Sequence, residues 1–130
     1  MSILLLEKNV GLRNLMEELL EDREKGIYVY AWEETSGISA LVKKMWRYEL
    51  VIMGWEDFGR TTLNAILDSS KDFNLPPQIW VLTEDTQKVH REAPEANLIL
   101  SKKEHFGPEV LKMLVKRFRK NEEEKRSRRG

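Results

Sequence analysis

The sequence predicts an α/β protein built on a doubly wound, five-stranded parallel sheet. Short apolar runs that are typical of buried strands alternate with segments whose apolar residues recur at helical spacing. This alternation is typical of a parallel sheet that carries helices on both faces. The chain has 130 residues, which is enough for one domain with a single core.

Five segments are predicted as strands. The continuous apolar run over residues 3–6 suits a strand that is covered on both faces. Residues 27–32 are rich in β-branched and aromatic side chains, which favours a second strand. The remaining strands are short apolar runs, over 50–53, 79–82 and 98–100.

Five helices are predicted between and after these strands. The first has a helical apolar stripe, and the second begins at a cap supplied by Thr35 or Ser36. The third and fourth cover about residues 62–69 and 86–92, and the last begins at Pro108, which suits a first helical turn. The stripe of the first helix is Leu12, Leu15, Met16, Leu19 and Leu20.

The composition excludes several classes of protein. Apolar residues make up 41% and charged residues 34%, which is typical of a soluble globular chain. No apolar run is long enough to cross a bilayer, and no secretory signal pattern is present. The absence of cysteine excludes disulfides, cysteine-ligated zinc and thiol catalysis. We expect a cytoplasmic protein with no membrane contact.

The charge is unevenly distributed. The chain has no net charge, yet residues 116–129 contain eight basic and three acidic residues. We predict that residues 121–130 form a charged tail or linker, with weak partner or nucleic-acid contact as the alternative. The interleaved glutamates and the absence of aromatic residues after Phe118 argue against direct nucleic-acid binding.

In a doubly wound sheet the functional residues lie beyond the carboxyl ends of the strands. The first strand is followed here by residues 7–9, the third by 54–57, the fourth by 83–85 and the fifth by 101–103. The segments read Glu-Lys-Asn, Gly-Trp-Glu-Asp, Thr-Glu-Asp and Ser-Lys-Lys.

With these strand ends, the chain resembles the receiver domains of two-component response regulators over residues 1–120. The resemblance implies the flavodoxin-like receiver fold and roles for five positions. Glu7 stands at the first acid of the magnesium-binding pair, and Lys8 stands at the second. Gly54 replaces the aspartate that accepts the phosphoryl group. Thr83 matches the hydroxyl that reports phosphorylation, and Lys102 matches the lysine that contacts the phosphoryl oxygens.

The departures from the receiver pattern predict loss of phosphotransfer. Glycine has no side chain, so Gly54 cannot form an acyl phosphate. Magnesium prefers carboxylate oxygens, and the ammonium group of Lys8 opposes its binding, so we expect weak or absent Mg²⁺ binding and no other cofactor. Lys8 is one candidate to fill the vacant cation position and pair with Glu7. Glu56 and Asp57 are candidate displaced acids, which leaves a phosphorylatable receiver as an alternative.

The resemblance therefore predicts a pseudo-receiver, with no enzymatic activity, that works in signal transduction or transcriptional regulation. Its expected partner is another protein, an output domain or a second copy of the chain. A small-ligand-binding flavodoxin-like domain is the other alternative, although residues 7–11 lack a phosphate loop. The family's interaction face, built from the fourth helix, fifth strand and fifth helix, corresponds here to Val89, Arg91, Ile99, Lys103, Glu104, Lys112 and Arg119.

The remaining aromatic and histidine residues are expected to have structural or surface roles. Trp55 either fills the room left by the missing carboxylate or is an exposed contact. Trp32, Trp46 and Trp80 are expected to pack in or beside the core. His90 and His105 lack metal-ligand spacing, so no metal site is predicted from them.

Overall fold

The computed structural model describes residues 1–32, 37–103 and 108–129, and it confirms the predicted fold class. All strands are parallel and lie in the order β2-β1-β3-β4-β5. Their bounds are β1 Ser2–Leu6, β2 Tyr28–Trp32, β3 Leu50–Gly54, β4 Gln78–Thr83 and β5 Leu98–Ser101. The order reverses between β1 and β3, which is the switch point at which doubly wound sheets place their sites.

Five α-helices connect and follow these strands. Their bounds are α1 Val10–Leu20, α2 Ile38–Val42, α3 Trp55–Ser70, α4 Thr86–Glu92 and α5 Pro108–Arg129. Asn9 caps α1, because its side chain accepts a hydrogen bond from the Leu12 amide at 2.9 Å. None of the described helices has the length and hydropathy that crossing a membrane requires.

The core has two layers, one on each face of the sheet. Alternate residues of each central strand point into opposite layers, which explains the continuous apolar runs. One layer is covered by α1 and α5 and includes Ile3, Leu5, Met16, Leu50, Ile52, Trp80, Val115 and Phe118. The other is covered by α2, α3 and α4 and includes Leu4, Leu6, Leu41, Val51, Met53, Phe58, Leu63, Val81 and Val89.

Two helices extend beyond their predicted limits. The third begins at Trp55, directly after β3, and is kinked at Gly59, whose positive φ of 64° suits glycine. The fifth continues to Arg129, so the described part of the predicted tail is helical. The proposed caps Thr35 and Ser36 lie outside the described residues.

Two apolar positions were assigned wrongly from spacing. Leu15 was placed in the inward stripe of α1, yet 42% of it is exposed. Trp46 was expected to pack, yet 71% of it is exposed, because Leu41 and Met45 take the inward positions of this segment. Trp80 is buried and Trp32 is partly buried, as predicted.

Candidate functional site

The carboxyl ends of β1, β3, β4 and β5 bring four of the five predicted pocket residues to one edge of the sheet. In the strand register, Gly54 of β3 lies opposite Leu82, and Thr83 of β4 lies opposite Ser101. The Lys102 amide donates to the Thr83 carbonyl at 2.9 Å, which fixes the start of the loop after β5. The strand ends therefore bring these residues together, although they come from distant parts of the chain.

A buried carboxylate occupies the centre of this site. Glu7 is fully buried, and its Oε1 accepts a hydrogen bond from the Asn9 amide at 3.1 Å. Its Oε2 makes no hydrogen bond to any of the described residues and lies 3.9 Å from the Lys102 ammonium. A Cβ atom on Gly54 would lie 3.1 Å from the same Oε2. The Glu7 carboxylate thus takes up room that a side chain at position 54 would need.

Lys102, and not Lys8, is the cation beside Glu7. The side chain of Lys8 is exposed, whereas that of Lys102 is only 20% exposed. Successive residues of an extended chain point to opposite sides, so a buried Glu7 turns its neighbour towards solvent. The expectation that Lys8 fills the vacant cation position is therefore wrong.

The predicted hydroxyl, Thr83, is held by an acid on α3. The Thr83 side chain is buried, and its hydroxyl donates to Glu56 Oε2 at 3.0 Å. Glu56 Oε1 accepts from the Glu84 amide at 2.7 Å, so both of its oxygens are used. Glu56 therefore holds the loop between β4 and α4 in place. Both Glu56 and its neighbour Asp57 are exposed residues.

Trp55 and Arg60 connect the start of α3 to the far end of α4. Trp55 is only 7% exposed, and its indole Nε1 donates to Glu92 Oε2 at 3.2 Å. Arg60 donates to the Glu92 carbonyl at 3.0 Å and forms a two-point ion pair with Glu95. The hydrogen bond from Arg60 holds the pKa of Glu95 below its usual value. The suggestion that Trp55 is an exposed contact is therefore wrong. No sequence motif indicated these contacts of Trp55 and Arg60 with the end of α4.

Comparison with solved structures identifies the fold. The chain superposes on a CheY-like receiver domain protein from Methanospirillum hungatei with a TM-score of 0.72 at 12% identity, covering 95% of this chain and 97% of that one. It superposes on the chemotaxis response regulator CheY4 of Vibrio cholerae with a TM-score of 0.69 at 18% identity, covering 89% and 96%. The chain has the receiver fold.

A third solved structure has the same fold. It is the response regulator TrrA of Thermotoga maritima in complex with Mg²⁺-BeF, at 24% identity and a TM-score of 0.64, covering 89% of this chain and 96% of that one. No protein-family model and no curated protein matches the chain. The likeness is therefore one of fold, carried by the strand order and the helices.

The residues at this site do not fit a magnesium ion. Mg²⁺ is bound in proteins through carboxylates and water in octahedral geometry. The site offers the Glu7 carboxylate, which lies beside the ammonium of Lys102. The residue after Glu7 in the chain is a second lysine, Lys8. Within residues 1–32, 37–103 and 108–129, no three acidic or histidine side chains converge on a metal position. Weak or absent Mg²⁺ binding stays a prediction.

The predicted interaction face is only partly available. Val89 is completely buried in the core, so its inclusion in this face is wrong; α4 uses its one clear apolar residue to pack against the sheet. Ile99 is partly buried against the same cluster. Arg91, Lys103 and Lys112 are exposed, whereas Arg119 is paired with a glutamate one turn along α5. Glu104 and His105 lie outside the described residues.

Proposed function

We propose that this chain is a pseudo-receiver, a signalling domain that acts through protein–protein interaction without phosphorylation at the end of β3. One observation carries the proposal. Gly54 ends β3 without a side chain, and the buried Glu7 carboxylate takes the adjacent room beside Lys102. A phosphoryl group at this point would need both an acceptor oxygen and the space that Glu7 fills.

The charged and polar contacts in the pocket support a site that does not change state on phosphorylation. Phosphorylation adds about two negative charges and three acceptor oxygens, and receivers respond to that change. Here Lys102 already lies beside a carboxylate, and the Thr83 hydroxyl already donates to Glu56. Both groups that would respond to a phosphoryl oxygen therefore have partners from the protein itself.

The contacts around α4 support a constant surface for a partner. Glu56 holds the loop before α4, Trp55 holds Glu92 at its end, and Arg60 holds the connection to β5. All three side chains lie in or next to the first turn of α3, directly after Gly54. A change in this region would have to break several hydrogen bonds together. We propose that the domain offers one conformation to a protein partner or output domain in the cytoplasm, in signal transduction or transcriptional regulation.

The proposal is tested by measuring the intact mass of the protein after incubation with Mg²⁺ and acetyl phosphate. We expect an unchanged mass under conditions in which an ordinary receiver domain gains a phosphoryl group. A gain of one phosphoryl group by this chain would overturn the proposal. The variants D57N and E56Q then locate a displaced acceptor, since both residues are exposed.

A further inference from the structure

The edge strand β2 exposes aromatic side chains on one face of the sheet. Val29 packs in the core layer of α1, so Tyr28 and Tyr30 point to the opposite face. The helix on that side, α2, has only five residues and makes most of its contacts with α3. Tyr28 is therefore 41% exposed and Tyr30 is 43% exposed, at the edge of a sheet whose central strands are fully buried.

A short turn before β3 adds a cation and a further aromatic ring beside this face. The ring of Tyr48 packs edge-on against that of Tyr30, with centroids 5.9 Å apart. The guanidinium of Arg47 lies over the Tyr30 ring, 5.9 Å from its centroid. Trp46 precedes Arg47 in the 3₁₀ turn Met45–Arg47 and is 71% exposed. The open face of β2 is thus continued by a cation and an exposed indole.

The segments that build this face contribute only positive charge. Residues 28–32 contain no charged residue, and residues 37–48 contain three basic and no acidic residues, in a chain that is 34% charged. The three basic side chains are exposed, and none forms an ion pair with another described residue. We define the β2 surface as Tyr28, Tyr30, Lys43, Lys44, Trp46 and Arg47.

We propose that the β2 surface binds single-stranded nucleic acid. Each nucleotide carries a flat aromatic base and an anionic phosphate, so one ligand matches both the exposed rings and the cations. Tyr28 and Tyr30 lie two positions apart on a strand, about 7 Å, and Trp46 supplies a third ring. Unpaired bases stack on such rings, whereas the bases of a duplex stack on one another. An acidic peptide would match the charges but would leave the rings without stacking partners.

The inference goes beyond the proposed function and does not involve the pocket at Gly54. Because β2 and β5 are opposite edges of the sheet, the β2 surface also lies away from β5. The sequence argument against nucleic-acid binding concerned residues 116–129, where no aromatic residue follows Phe118. On the β2 surface, rings and cations lie together. Three cations predict that the logarithm of the binding constant falls with the logarithm of the salt concentration at a slope of about −2.

Fluorescence anisotropy with labelled thymidine and uridine oligonucleotides of about 12 nucleotides tests the inference. We expect the two to bind alike, since DNA and RNA share bases and phosphates, and to lose about 20-fold in affinity between about 50 and 200 mM salt. W46A should weaken binding at least about fivefold, because it removes a stacking ring. W46F keeps a ring and should retain most of the affinity. Trp46 is 71% exposed, so neither variant should disturb folding.

Paired lysine variants separate the β2 surface from the basic helix α5. K43A/K44A should weaken binding and reduce the salt slope to about −0.7, whereas K116A/K120A, which removes two exposed lysines of α5, should change neither. The proposal is overturned if neither oligonucleotide binds at low salt, if W46A binds as tightly as wild type, or if K116A/K120A weakens binding as much as K43A/K44A does.

A poly-glutamate peptide tests the competing class of ligand. It carries negative charge without rings, so it should displace the oligonucleotide poorly. Displacement at an equal concentration of charges would overturn the proposal and would indicate an acidic protein as the ligand. None of these measurements depends on phosphorylation, so nucleic-acid binding can fail while the pseudo-receiver proposal stands, and the reverse.

Discussion

Replacing Lys102 by methionine tests whether the buried Glu7 carboxylate needs its cation. The Nζ–Oε2 distance of 3.9 Å corresponds to about 4 kcal/mol of attraction at an effective dielectric constant of 20. The Lys102 side chain is 20% exposed, so solvent screening and lysine side-chain entropy reduce this value. We expect K102M to lower the free energy of unfolding by about 2–3 kcal/mol, since it leaves a buried carboxylate unpaired.

A double-mutant cycle with E7Q isolates the interaction between the two side chains. E7Q removes the buried charge and keeps an acceptor for the Asn9 amide, so we expect it to cost only about 1 kcal/mol. The double variant E7Q/K102M should then cost little more than E7Q alone, which gives a coupling of about 2 kcal/mol. Urea unfolding followed by tryptophan fluorescence measures all three values.

The matched control is K103M, which removes an exposed lysine from the next position. It should leave the free energy of unfolding within about 0.5 kcal/mol of wild type. The reasoning is refuted if K102M is as stable as K103M, or if the costs of E7Q and K102M simply add in the double variant.

Three further predictions concern other parts of the site. G54D should lower the free energy of unfolding by about 2–3 kcal/mol, because it places a second carboxylate against that of Glu7. About 10 mM Mg²⁺ should raise the melting temperature of G54D part of the way back to that of wild type. An equal effect of Mg²⁺ on the wild-type melting temperature would contradict this prediction. E95Q should lower the melting temperature at neutral pH. Arg60 lowers the pKa of Glu95 in the folded state. The ion pair therefore stabilises the folded protein at pH values above the unfolded-state pKa, and this stabilisation is lost as the pH falls through the folded-state pKa. A loss that stays constant as the pH is lowered from neutral until the protein unfolds would argue against the ion pair as its cause. V89A should cost about 2 kcal/mol in urea unfolding because Val89 is fully buried, whereas R91A should cost almost nothing, and equal costs would refute this packing of α4.

Sequence patterns predicted the bounds of a helix best where a capping residue and a proline mark its two ends. The fourth helix was predicted over 86–92 and is observed there, with Asp85 as its cap and a proline soon after it. The start of α3 was missed, because residues 55–61 are largely polar and include Gly59. The first turn of α3 is held by contacts with α4 and with the loop before α4. The spacing of apolar residues in the sequence does not indicate these contacts.

The convergence of Glu7, Gly54 and Lys102 was predictable, because parallel strands bring their carboxyl ends to one edge. Which lysine approaches Glu7 was not predictable. Lys8 and Lys102 carry the same charge, and only the direction of each side chain separates them. The burial of Val89 and Trp55 likewise followed from the packing of α3 and α4 against the sheet.

The sequence by itself determined the alternation of strands and helices and the absence of a carboxylate at the end of β3, since apolar spacing is local and glycine has no side chain. The tertiary structure alone decided that Glu7 fills the room beside Gly54, that Lys102 lies beside its carboxylate, and that Glu56 accepts a hydrogen bond from the Thr83 hydroxyl. These features depend on distances between residues far apart in the chain, and packing against the shared sheet sets those distances.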